Sequence, residues 1–108
     1  MSDERIEKIK TAVETADHIP AEKKADLLGL IGALDPVIAK VAQSDDKHAK
    51  HIAGLVEASA QEAARKNPER VESLLGELKE AVQRFEASHP ELASFVTEYS
   101  ALLSALGI

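Results

Sequence analysis

Apolar residues recur every three or four positions in the last third of the chain, with one interruption near Ser88. This spacing places them on one face of a helix. Pro68 and Pro90 each open a helix in this interpretation, because proline favours the first helical position. Two apolar faces joined by a short turn predict an antiparallel helical hairpin over residues 67–108, and Gly107 is expected to end the second helix. The expected packing residues are Val71, Leu75, Leu78, Val82 and Phe85 in the first helix, and Leu92, Phe95, Tyr99, Leu102 and Leu106 in the second.

The beginning of the chain predicts a short helix that ends in a turn. Ile6, Ile9, Val13 and Ala16 form its apolar stripe. The helix is expected to end before Pro20, because the residue that precedes a proline is disfavoured in helical geometry. Pro20 then opens a second helix, which carries the densest aliphatic cluster of the chain. That cluster consists of Leu27, Leu28, Leu30, Ile31 and Leu34.

The middle of the chain predicts one long third helix, from Pro36 to about Lys66. Residues 38–63 keep one alternation of three and four between their apolar and small positions, which favours a continuous helix. Two alternatives remain open. The Ser-Asp-Asp sequence at residues 44–46 offers good capping residues that can restart the helix. Pro36 can also kink a longer helix instead of beginning a new one.

Two sets of small residues predict close packing. Gly29 and Gly32 each cost about 1 kcal/mol of helix propensity relative to alanine, so we expect another helix to approach them closely. The last helix carries only two charged side chains, Glu91 and Glu98, whereas a solvated helix face normally carries lysine and glutamate. We therefore expect other helices of the chain, or a second copy, to cover the face opposite its apolar seam. That face consists of Ala93, Ser94, Thr97, Ser100, Ala101, Ser104 and Ala105.

Composition narrows the classes of function. The chain has 108 residues, of which 30% are charged and 44% apolar, the balance of one globular domain. It contains no cysteine, which removes disulfides, thiolate zinc sites and cysteine nucleophiles. A net charge of −6 opposes binding to nucleic acid. Neither a signal peptide nor a membrane-spanning run is evident in the sequence, so we expect a cytoplasmic protein that makes no membrane contact.

One local pattern is a weak candidate for a metal site. Asp45, His48 and His51 follow each other at intervals of three, so a carboxylate and two imidazoles lie on neighbouring positions of a helix. Such sites usually take further ligands from a second helix, and the neighbouring lysines oppose a cation, so the preferred interpretation is a solvated polar patch. His89 is expected to accept a hydrogen bond at the start of the last helix. No catalytic residue and no cofactor is expected, and the protein is not expected to be an enzyme.

The end of the chain resembles a known family. The segment 85–93 reads Phe-Glu-Ala-Ser-His-Pro-Glu-Leu-Ala, and the chain ends in Gly107-Ile108. These residues resemble the ending of a family of small bacterial proteins described only as a domain of unknown function, whose members close with Phe-Glu-x-x-His-Pro-x-Leu and a final Gly-Ile. The resemblance covers about the last quarter of the chain. It implies a small helical protein without an assigned activity.

These observations predict an all-α bundle of about five helical segments. We expect a single domain over residues 1–108, in which residues 1–66 hold the first helices and the long third helix, and residues 67–108 form the C-terminal hairpin. The expected function is a non-enzymatic protein-interaction or structural module that acts through helix packing, with a homodimer or another protein as its partner. The alternatives are a bundle that binds a divalent metal or a small ligand, and an acidic immunity-type partner of a basic protein.

Overall fold

The computed structural model of the chain describes residues 2–85 and 88–106, and the expected stop at Gly107 lies outside these ranges. The described residues form five α-helices and no β-strand, so the predicted all-α bundle of about five segments is confirmed. Its principal extents are 37 × 23 × 19 Å. The helices are α1 (Ser2–Thr15), α2 (Ala21–Ser44), α3 (Asp46–Ala64), α4 (Pro68–Gln83) and α5 (Pro90–Ala105).

The first helix follows its predicted stripe. Ile6, Ile9, Val13 and Ala16 are all buried, and α1 ends before the predicted turn ahead of Pro20. The turn is fixed to the rest of the bundle by His18, whose ring Nε2 lies 3.0 Å from the carbonyl oxygen of Ala63 near the end of α3. The N–H at Nε2 therefore donates to that carbonyl, because an amide oxygen can only accept.

The prediction of one long third helix from Pro36 to Lys66 is wrong. Instead α2 continues through Pro36 as far as Ser44, and a separate helix α3 begins at Asp46. Proline has no N–H to donate to the carbonyl four residues earlier, that of Gly32. Both residues are exposed, so the unbonded carbonyl lies on the solvent side of the helix, where water can satisfy it. Two of the alternatives agree with the structure: Pro36 lies within a longer helix, and residues 44–46 restart the helix.

Asp45 causes the break between α2 and α3. Its backbone has φ −152° and ψ 88°, which is outside helical geometry, while its N–H still donates to the carbonyl of Val41. Its side-chain oxygen Oδ1 accepts the backbone N–H of His48 at 3.2 Å and so caps α3. The apolar spacing stays in phase across this break because a single non-helical residue separates the two helices. The periodicity alone therefore did not reveal the break.

The turn between α3 and α4 ends the first helix and caps the second. The N–H of Asn67 donates to the carbonyl of Glu62, and the N–H of Lys66 donates to that of Ala63, which is the Schellman arrangement. Lys66 occupies the left-handed position with φ 59°. Asn67 then caps α4 through its side chain, with Pro68 at the first helical position as predicted.

The packing faces of α4 and α5 are rotated relative to the predicted seams. In α4, Leu74 is buried and Leu75 only partly buried, and Phe85 beyond its end is also partly buried. In α5, Val96 and Leu103 are buried, whereas Leu102 and Leu106 are partly buried. The physical reason is that each helix packs against two neighbours. α4 lies mainly against α3 and α5 mainly against α2, and the contact between α4 and α5 is smaller. The buried face of each helix is consequently wider than the single seam of a two-helix hairpin.

A single cluster of buried side chains connects all five helices. Tyr99 of α5 is the largest side chain in its fully buried part, at 1% exposure. The tyrosine ring stacks against Phe95 with 5.2 Å between ring centroids, and its hydroxyl reaches Ser59 of α3. The core is thus mainly aliphatic, with one polar contact at its centre.

Candidate functional site

The structure brings Asp45 and His48 together. His48 Nδ1 lies 2.6 Å from Oδ2 of Asp45, and its Nε2 lies 3.0 Å from Nη1 of Arg84, beyond the end of α4. Arginine can only donate, so Nε2 accepts from Arg84 and Nδ1 carries the proton that is donated to Asp45. The hydrogen bond from the His48 ring, followed by that from its backbone N–H, holds the pKa of the Asp45 carboxyl below its usual value.

This arrangement connects two helices. One carboxylate oxygen of Asp45 caps the helix and the other accepts a hydrogen bond from the imidazole of His48. Both ring nitrogens of His48 are therefore hydrogen-bonded. Its ring also meets Phe85 edge to face, with 5.4 Å between centroids. The Asp45, His48 and Arg84 side chains therefore tie the start of α3 to the end of α4.

His51 does not join these bonds. It is exposed and, together with His48, lines a small groove of about 180 Å³. The other side of the groove is formed by Glu77 and Glu80 of α4 and by Arg84, which follows the end of α4. Within residues 2–85 and 88–106, no group of three or more histidine and acidic side chains is placed to hold a metal ion.

The contribution of α4 to this groove was not predicted from the sequence. Glu77, Glu80 and Arg84 are spaced three or four apart, which signals one face of a helix. However, nothing in their spacing shows that this face meets His48. The pairing depends on the path of the turn at residues 65–67, and that path is set by Lys66 in a left-handed conformation that lysine rarely adopts.

The expected role of His89 is corrected. It occupies the N-cap position of α5, as its place before Pro90 predicted, but its side chain makes no capping hydrogen bond. Its ring instead lies near Phe85, with 6.3 Å between the ring centroids. His89 thus contributes packing at the turn, and the start of α5 relies on Pro90, which has no N–H that needs a partner.

The contact between Ser59 and Tyr99 is closed to solvent. The two hydroxyl oxygens lie 2.6 Å apart, and the Ser59 hydroxyl donates to the carbonyl of Val56 at 2.8 Å. Ser59 is 0% exposed. Burial raises the pKa of the Tyr99 hydroxyl, with a smaller opposing effect from the Ser59 hydrogen bond. This pair serves the core and cannot meet a substrate.

The outer face of α5 is exposed and carries little charge. The expectation that other helices of the chain cover it is wrong, because within the described chain Ser94, Thr97, Ala101, Ser104 and Ala105 are exposed. The alternative, coverage by a second copy, stays a prediction. Glu98 is the charged residue among the exposed positions of this helix. The exposed side of α4 provides the contrast, because most of its residues are charged. Its charged members are Glu69, Arg70, Glu72, Glu77, Lys79 and Glu80.

An apolar groove runs between this face and α2. It has a volume of about 560 Å³, and we call it the α2–α5 groove. The expectation that another helix of the chain closely approaches Gly29 and Gly32 is wrong, because a Cβ built on either glycine meets no neighbouring atom within 4 Å in the described structure. The propensity cost of these glycines is not offset by packing within the chain. The groove is lined by Ala25, Asp26, Gly29, Leu30, Glu98, Ala101 and Leu102.

A second cavity, of about 650 Å³, lies between α1, α2 and α3. Its floor includes Ile38 and Ala53, and its rim carries charges of both signs. Several of these charges are paired within the chain. Arg5 contacts Glu57 at 3.4 Å, and Lys50 contacts Asp46 at 3.1 Å. The rim therefore shows no excess charge that would select a ligand.

The fold and its surfaces define a small all-α bundle with a weakly charged outer groove. Among the described residues, no helix is long and apolar enough to cross a membrane. The chain belongs to the family described as a domain of unknown function (DUF4404), whose family model matches residues 33–108. The resemblance to a family of unknown function is thereby confirmed, and the match extends well upstream of the last quarter of the chain. Comparisons with curated proteins and with solved structures gave no match.

Proposed function

We propose that the protein is a non-enzymatic interaction module that binds a partner through the face formed by α2 and α5. The observation that carries this proposal is the difference between α5 and α4. Both helices have 16 residues and lie on the surface of the same bundle, yet α4 exposes mainly charged side chains and α5 exposes mainly alanine, serine and threonine. Low charge is one compositional feature of the centre of an interface, and the partly exposed leucines beside this face add apolar surface to it.

The size of this face suits a helix-packing interface. A helix of 16 residues is roughly 24 Å long, and α2 lies beside it. A specific interface of standard size buries about 800 Å² on each partner, which corresponds to a patch of similar width. Leu30 and Leu102 supply apolar surface within the groove, and burial of such surface contributes about 25 cal/mol per Å² before the costs of association.

The non-enzymatic part of the proposal rests on how the polar side chains are used. The Asp45, His48 and Arg84 contacts join two helices, and the Ser59 and Tyr99 hydroxyls are bonded inside the core. A general base or nucleophile must instead be free to reach a substrate atom. In both clusters the chemically versatile groups are engaged in holding the fold together.

Two kinds of partner fit a face of this type. A second copy of the chain would form the homodimer expected from the sequence, and a helix of another protein would use the same small residues for close approach. Both versions place the contact on the α2–α5 groove and leave α4 in solvent.

The test is site-specific photo-crosslinking in the cell from which the protein comes. A photoreactive amino acid is placed at Ala101 on α5 or, as the matched control, at Ser73 on α4, since both positions are exposed. The proposal predicts a discrete crosslinked product from position 101 and none from position 73. Equal products from both positions, or none from position 101, would overturn it.

A further inference from the structure

The charges around the α2–α5 groove all have one sign. Asp26 of α2 and Glu98 of α5 line it, and the other lining residues are uncharged. Both carboxylates are exposed, and within the described structure neither has an ion pair or a hydrogen bond. Both carboxylates are therefore free to pair with a partner.

No basic residue of the two helices lines the groove, although Lys23 lies about one helical turn before Asp26 on α2. α5 contains no lysine, arginine or histidine. On α2, Lys24 turns towards α1, where its Nζ donates to the carbonyl oxygen of Glu14 at 2.8 Å. Lys40 lies near the opposite end of α2, far along the chain from the groove residues 25–30. The groove thus combines an apolar floor with two lining charges, both of which are negative.

A second copy of the chain fits this charge pattern poorly. In a two-fold symmetric interface the same patch occurs on both partners, so a patch with only acidic charges places carboxylates near carboxylates. Like charges brought together at an interface weaken binding and act against the wrong partner. A partner with positive charges on either side of an apolar stripe would instead pair with both Asp26 and Glu98.

The shape of the groove favours a helix as that partner. Gly29 and Ala101 lack side chains that would keep a helix backbone at a distance, and the space beyond Gly29 is open. Packed helices approach to about 8–10 Å depending on the side chains between them, so small residues permit the closer distances. Leu30 and Leu102 then offer apolar contacts to the residues that the partner inserts.

We infer that the α2–α5 groove binds a basic amphipathic helix of another protein, with lysine or arginine side chains that pair with Asp26 and Glu98. This inference rests on the proposed function, because it names the partner class for the same face. The partner helix carries small and aliphatic residues along the stripe that enters the groove, and its basic residues flank that stripe.

The experiment measures binding of a designed helical peptide to the whole chain. The peptide is about twenty residues long, long enough to be helical, with a stripe of alanine and leucine flanked by lysine. The control peptide has each lysine replaced by glutamate. Binding is followed by fluorescence anisotropy, and light scattering at the same concentrations gives the mass of the free protein.

The protein variants separate the groove from overall charge. The test variant is Asp26→Lys with Glu98→Lys, and the matched control is Glu69→Lys with Glu72→Lys on the exposed side of α4, which changes the net charge equally. A neutral pair, Asp26→Asn with Glu98→Gln, keeps the side-chain shapes. Circular dichroism establishes that each variant is folded, and the neutral pair serves if charge reversal prevents folding.

The inference predicts that the lysine peptide binds the wild-type chain, that the glutamate peptide does not, and that the test variant binds roughly tenfold more weakly. The control on α4 should change the dissociation constant by less than about twofold. Equal weakening by both charge reversals, or no binding of the lysine peptide, would overturn the inference. If the wild-type chain is a dimer and a substitution of Ala101 converts it to a monomer, the inference would also be overturned. That result would still support the proposed interaction face. Absence of crosslinks from position 101 is the separate result that would remove the face itself.

Discussion

The hydroxyl pair at the centre of the core allows a quantitative test of the packing. Replacing Ser59 with alanine leaves the Tyr99 hydroxyl with only the Val56 carbonyl, at a long 3.4 Å. A buried polar group without a good partner costs about 1–3 kcal/mol. Replacing Tyr99 with phenylalanine leaves Ser59 still donating to Val56 at 2.8 Å, so the loss is one hydrogen bond, or about 1 kcal/mol.

The double variant removes both polar groups, so its cost should be smaller than the sum of the two single costs. We expect a coupling energy of about 1 kcal/mol between Ser59 and Tyr99. Urea unfolding followed by circular dichroism measures the free energy of unfolding of all four proteins, and the Tm values should differ by about 4 °C per kcal/mol. Additivity to within about 0.3 kcal/mol would refute the direct hydrogen bond.

Three further predictions concern titration and helix propensity. Tyr99 is the single tyrosine, and its pKa is raised above 10.0, so the folded chain should show no tyrosinate absorbance at pH 10.0. The stability of the chain should fall at alkaline pH, because the tyrosine then ionises in the unfolded chain. Normal titration of the tyrosine near pH 10.0 would contradict its burial. The Asp45 carboxyl has a pKa lowered from 3.8, so its stabilising effect should be complete above that pH and be lost as pH falls through the lowered value. Acid unfolding of wild type and Asp45→Asn should therefore converge, and a difference in stability that stays constant with pH would contradict the lowered pKa, since asparagine also caps a helix. Gly29→Ala and Gly76→Ala should each stabilise the chain by about 1 kcal/mol in urea unfolding, since both added Cβ atoms meet open space, but only Gly29→Ala should weaken peptide binding.

The sequence predicted those parts of the fold that depend on local signals. The α1 stripe, the turn before Pro20 and the cap at Asn67 all follow from residues close together in the chain. The rotation of the α4 and α5 faces did not, because it depends on which helices surround each one. Leu74 is buried and Leu75 is not fully buried because α4 meets both α3 and α5.

The break at Asp45 shows the limit of periodicity. The apolar phase is continuous from α2 to α3, since a single residue leaves the helical conformation. The capping residues at 44–46 correctly indicated the start of a new helix. The unbroken apolar spacing, however, favoured one continuous helix. A similar limit applies to the surface. The low charge of the last helix was evident from the sequence, whereas its alignment with Gly29 and Asp26 required the three-dimensional structure.

The proposed contact of the protein with its partner is the α2–α5 groove. Nuclear magnetic resonance provides the most direct test, because titration of the isotope-labelled chain with the lysine peptide reports every backbone amide separately. Chemical-shift changes should be confined to residues 25–33 of α2 and 94–105 of α5, and α4 should be unchanged. Changes centred on residues 69–80 of α4, or spread evenly over the acidic surface, would contradict it.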